Sequence, residues 1–144
     1  MSRMIFINLP VTDLTVTSRF YEALGCERNP QFSDENAVSM VWSDTIVFML
    51  LRKEYFATFT PKAVADARRL SEVLLSLSFE SREAVDSFAD AAAGAGGRAD
   101  LRSPQELGFM YSRSVEDPDG HVFEAVWMDP STMDEPADAL AVSA

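Results

Sequence analysis

The sequence predicts an α+β fold of two βαβββ modules, whose strands form a curved, half-barrel mixed sheet with the helices outside. Three observations carry that expectation. The order strand, helix, strand, strand, strand is spelled twice, over residues 4 to 52 and again over 73 to 128. Phe20 and Phe88 fall at matching places in the two helices, and Gly25 and Gly97 each follow a helix end. Residues Phe109 to Met128 read as an antiparallel hairpin around the turn Asp117-Pro118-Asp119-Gly120. The domain is expected over residues 1 to 128, with a connection at 53 to 72 and an acidic tail at 129 to 144.

Each element follows from local chemistry. Ile5, Ile7 and Leu9 alternate with Phe6 and Asn8, the period of a strand, and Pro10 ends it. Thr12 or Asp13 caps the first helix, and Val16, Phe20, Tyr21 and Leu24 give its apolar stripe. A second strand is expected to end near Phe32, a third to run from Ala37 to Trp42, and a fourth from Thr45 to Leu51. In the connection, Thr60-Pro61 reads as a helix start, so Lys62 to Leu70 is expected to be a short helix. Its aromatics, Tyr55, Phe56 and Phe59, suit a lid over a pocket or a covered interface, or else a linker whose aromatics tuck onto the core. Val73 to Phe79 is the next strand. Ser81 then caps a helix whose stripe is Val85, Phe88, Ala89 and Ala92, and Arg98 to Arg102 is a short strand. The glycines at 94, 96 and 97 follow a helix instead of opening one, which excludes a phosphate-binding loop.

Composition excludes several partners. The net charge of −11 repels nucleic-acid phosphates and anionic lipid surfaces. No apolar run approaches the length of a membrane span, and the opening residues lack the pattern of a signal peptide. Cys26 is the only cysteine, so neither an internal disulfide nor a cysteine-based metal site can be built, as suits a reducing cytoplasm.

Glu124 is the residue out of place. It sits mid-strand between Phe123 and Ala125, with Val122 and Val126 on its own face. A carboxylate in such surroundings needs a metal, an arginine or hydrogen-bond donors. Arg113, on the preceding strand, is the basic residue expected to supply a structural partner. The alternative is a role as metal ligand or catalytic base.

Three blocks of sequence resemble the vicinal oxygen chelate superfamily, which includes glyoxalase I, extradiol dioxygenases and bleomycin-resistance proteins. They are Asn8 to Leu14, Phe20 to Gly25, and Asp117 to Glu124. Gly108-Phe109-Met110-Tyr111 and Trp127-Met128-Asp129-Pro130 resemble the branch labelled predicted lactoylglutathione lyase. The resemblance implies a divalent metal held from four strands. Its last ligand falls on Glu124, but the others fall on Phe6, Met49 and Leu74, which offer no suitable donor. Asn8 and Glu72 lie nearby; with Glu124 they would make an oxygen-only site of the kind that holds Mg or Ca weakly. His121 belongs to the turn and is expected to be structural. The resemblance therefore implies two functions: isomerisation of glyoxalase I type, or metal-free binding of a small molecule against an apolar wall of Phe6, Met49 and Leu74. It also implies a homodimer.

Overall fold

In the computed structural model, which describes residues 2–134, the strand order of the two halves is the same. The first half runs β1 (Ile5–Val11), α1 (Leu14–Ala23), β2 (Glu27–Asn29), β3 (Ala37–Val41) and β4 (Ile46–Arg52). The second runs β5 (Leu75–Phe79), α3 (Arg82–Gly94), β6 (Arg98–Ala99), β7 (Gln105–Glu106), β8 (Met110–Glu116) and β9 (Val122–Met128). The sheets are ordered β1-β4-β3-β2 and β5-β9-β8-β6, with β7 also on β8. In each, the first and last strands pair in parallel and the rest antiparallel, so both sheets are mixed and open. The predicted fold class is the observed one.

Helix starts follow the predicted caps. Asp13 Oδ1 accepts from the Thr15 and Val16 amides, and Ser81 Oγ from that of Ala84. Gly25, at φ 106°, takes the left-handed conformation that closes α1. After α3 that conformation falls on Gly96 instead. Gly97 is needed for space, because a Cβ there would overlap the Phe20 ring and the Glu116 carbonyl.

One continuous core joins the halves. Phe48 of β4 meets Phe123 of β9 with ring centroids 5.4 Å apart, and Tyr21 touches both. Trp42 closes the other end against Phe79 and Phe88. All the strand residues in these contacts lie on the faces that carry α1 and α3. The modules are thus joined through their helix-side faces. The opposite, helix-free face of the first sheet carries Phe6, Asn8, Val47 and Met49; that of the second carries Ser76, Ser112, Ser114 and Glu124.

Several local expectations are corrected. Residues 62 to 70 form no helix; the connection holds α2 (Lys53–Phe56) and a 3₁₀ turn, Ala57–Phe59. Thr60 Oγ1 and Asp66 Oδ1 instead accept from amides two residues on, local bonds that compete with helix formation. Val16 is exposed and Thr17 takes the buried place, because its hydroxyl donates to Asp119. The second strand ends at Asn29, whose side chain caps a 3₁₀ turn that carries Phe32 into solvent. β5 begins at Leu75, and β6 stops at Ala99, where Asp100 turns with φ 57°. The expected tail opens with a 3₁₀ turn, Pro130–Asp134; its remainder, 135–144, lies outside the described residues.

Candidate functional site

The Asp117–Gly120 turn is a clasp between the modules. Asp117 Oδ2 accepts from the buried Tyr21 hydroxyl at 2.7 Å, and Oδ1 accepts from the Asp119 and His121 amides. Asp119 accepts from the Thr12 amide, the Thr17 hydroxyl and Arg68. His121 Nε2 lies 2.8 Å from the Pro10 carbonyl, so that nitrogen carries the proton and donates. Burial holds the Asp117 carboxyl above its ordinary range, and burial together with Asp117 pushes the Tyr21 hydroxyl well up. All four carboxylate oxygens of Asp117 and Asp119 have partners, so the work of the clasp is architectural.

The clasp also positions the connection. A Cβ on Gly120 would come within 2.7 Å of the Ala67 carbonyl carbon and oxygen, so only glycine lets that backbone settle here. Arg68 bonds the Pro118 carbonyl at 3.1 Å and holds the segment down. Residues 60 to 73 thereby roof a cavity of about 300 Å³ between the end of β1 and the starts of β5 and β9. Its walls are mainly apolar, from Pro10, Phe56, Leu70 and Val122, with Asn8, Thr60, Lys62, Ser71, Glu72 and His121 as the polar residues. The volume suits a small organic ligand.

Of the residues singled out in the sequence, Asn8 and Glu72 line this cavity. Phe6 lies two residues before Asn8 on the same face of β1 and is 55% exposed. Met49 pairs with Asn8 across β4, and Leu74 precedes β5, 59% exposed. Glu124 lies two residues beyond Val122 on the same face of β9.

Glu124 does not pair with Arg113. Register places Arg113 opposite Ala125, on the helix-side face, where its guanidinium forks onto Asp100 at 3.0 and 2.9 Å and reaches Asp86 and Asp90. These acidic partners raise the Arg113 pKa. The partner of Glu124 is Arg102, whose Nη2 is 3.1 Å from Oε1. The other oxygen, Oε2, is buried with no partner among the described residues. Sequence reasoning missed Arg102, although strand parity was a usable signal against Arg113: residues 113 and 124 fall on opposite faces once the turn is centred on Asp119.

The donor set does not fit the divalent metal that the resemblance implies. Phe6 and Leu74 have no donor atom, Met49 offers only a thioether, and one oxygen of Glu124 is held by a guanidinium. Among the described residues no three His, Cys, Asp or Glu side chains gather as a metal group.

No family model and no curated protein matches the sequence. Solved structures do match, and they define the fold as the one found in glyoxalase/bleomycin resistance/dioxygenase proteins. A hypothetical protein, SA1046 from S. aureus, aligns with 25% identity and a TM-score of 0.73, over 88% of this chain and 94% of that one. A glyoxalase-related enzyme from Fulvimarina pelagi gives 22% identity and 0.73, covering 88% of each chain. The bleomycin-binding protein of Streptomyces verticillus, solved with copper(II)-bleomycin, gives 17% and 0.56, over 87% of this chain and 95% of that one.

Proposed function

We propose that this protein binds a small, largely apolar molecule without a metal, in the cavity roofed by residues 60 to 73. The observation that carries the reading is the cavity itself: about 300 Å³ and mainly apolar, with His121 held on the Pro10 carbonyl and Asn8, Lys62 and Glu72 among the polar residues of its wall. The likeness to a bleomycin-binding protein supports a binding role on this fold. Lactoylglutathione lyase chemistry is not part of the proposal. That reaction relies on a Lewis acid to stabilise an enediolate, and the donor set at Phe6, Met49, Leu74 and Glu124 is wrong for one.

The working unit in this reading is a homodimer. The helix-side faces are used up inside one chain, while β1 and β5 are edge strands with Ile5, Phe6, Val73 and Leu74 exposed beside them. A second copy would cover that apolar edge and close the cleft. Sedimentation at micromolar concentration then yields twice 15.9 kDa, and a monomer alone contradicts the assembly.

The cavity is tested with N-phenyl-1-naphthylamine, a neutral fluorescent apolar probe. Saturable enhancement is expected, weakened about tenfold by Val122→Trp, which fills the space. Enhancement that never saturates, or that Val122→Trp leaves unchanged, removes the proposal.

A further inference from the structure

Glu124 is a carboxylate with half its hydrogen-bonding need unmet. Arg102 Nη2 engages Oε1 at 3.1 Å, while Oε2 is buried with no partner among the described residues. A buried acceptor left in that condition is costly unless something donates to it. Arg102 is in the complementary position. Its side chain is 59% exposed, and its one described side-chain bond is the one to Glu124, so guanidinium N–H groups are left over.

The placement of Arg102 is built. Asp100, a non-glycine residue at φ 57°, turns the chain after β6, a conformation that costs energy and has to be held. The Arg113 fork grips its carboxylate, and its amide donates to the Ser114 carbonyl at 2.7 Å. Two residues on, the Arg102 amide donates to Ser114 Oγ, directly across the strand pair from Glu124. The side chain is thereby delivered over the helix-free face. Ser76 faces Glu124 from the other side. Val122, which lines the cavity, lies about 7 Å back along the same face of β9. Glu124 and Arg102 do not themselves line the cavity, so a ligand body held there meets the pair only with a head group that extends past Val122 along this face.

We infer that Arg102 and Glu124 together read the head of the ligand, and that the head is an uncharged group with a donor beside an acceptor, such as a carboxamide. This rests on the cavity being the ligand site. Glu124 Oε2 is closed off in this structure, so the head has to shift the exposed Arg102 side chain; its donor then satisfies Oε2 while its carbonyl takes a free N–H of Arg102. A carboxylate head would gain Arg102 but face Glu124, and an ammonium head would gain Glu124 but face Arg102. The pair thus selects against both charges. The position where the resemblance implies a metal is taken by a guanidinium that supplies the cation and a selection rule together.

Three probes with one body separate the heads: 4-phenylbutanamide, 4-phenylbutanoate and 4-phenylbutylamine, each titrated into ¹⁵N-labelled protein. The amide is expected to bind about tenfold more tightly than either charged probe, moving the amide signals of Ser76, Ser114, Val122 and Glu124. Glu124→Gln should turn the preference toward the carboxylate, and Arg102→Met toward the amine; a merely structural pair would produce neither swap. If all three probes shift the cavity residues equally and both variants leave that unchanged, the inference is overturned while the cavity reading stands. If none of the three binds, both fall.

Discussion

Asp117 and Glu124 are carboxylates of the same hairpin, both largely buried, and they have opposite fates. Asp117 accepts three hydrogen bonds, from Tyr21, Asp119 and His121. Glu124 accepts one, from Arg102, and keeps an unpartnered oxygen. A saturated buried carboxylate stabilises the structure around it, whereas an unsaturated one weakens the fold and leaves capacity for something else. The motif that makes the sequence recognisable is thus the structural half of the hairpin. The half proposed to bind begins where its hydrogen bonding stops being complete.

The comparison predicts opposite mutational signs seven residues apart. Asp117→Ala strands the buried Tyr21 hydroxyl and two turn amides, and should cost about 3 kcal/mol in urea unfolding. Asp119→Ala frees the Thr12 amide and Thr17 hydroxyl at a smaller cost, about 2 kcal/mol. A loss below 1 kcal/mol for both, on the same scale, would break the clasp account.

The pH dependence sharpens it. Burial raises the Asp117 pKa above its ordinary 3.8, so the native state holds that proton more tightly than the unfolded chain does. The resulting stability is fully present below the unfolded value and is lost as pH rises through the folded one. Relative to Asp117→Asn, wild type should therefore lose ground as pH climbs from about 4, read from urea midpoints across a pH series. A difference independent of pH would contradict the burial argument.

Glu124→Leu should have the smallest effect on stability, between neutral and about 1 kcal/mol more stable, because it removes a half-satisfied charge and lets the exposed Arg102 return to water. It should nonetheless abolish the head-group selectivity. A loss comparable to that of Asp117→Ala would place Glu124 in the structural class.

Much of this was legible in the sequence because it is local. The repeat, the Asp13 and Ser81 caps and the hairpin are read from residues a few positions apart, and Glu124 stands out against its own neighbours. Several of the misplaced features are settled by distant partners. Thr60-Pro61 looks like a helix start, but Arg68 is drawn to Pro118, fifty residues on. Val16 keeps the helical period, yet the buried acceptor Asp119 makes Thr17 the inward residue. Arg102 belongs to a loop whose path depends on the Arg113–Asp100 fork, which no local pattern announces.

The central claim, that this fold works here without a metal, is tested most directly by elemental analysis after loading with Zn, Ni or Co and exhaustive dialysis, on wild type beside Glu124→Gln. No stoichiometric metal is expected in either protein, and no lactoylglutathione formation when any of the three is added to wild type. One equivalent of metal retained by wild type and lost from Glu124→Gln would contradict it, and would mean that Glu124 leaves Arg102 to join ligands outside Phe6, Met49 and Leu74.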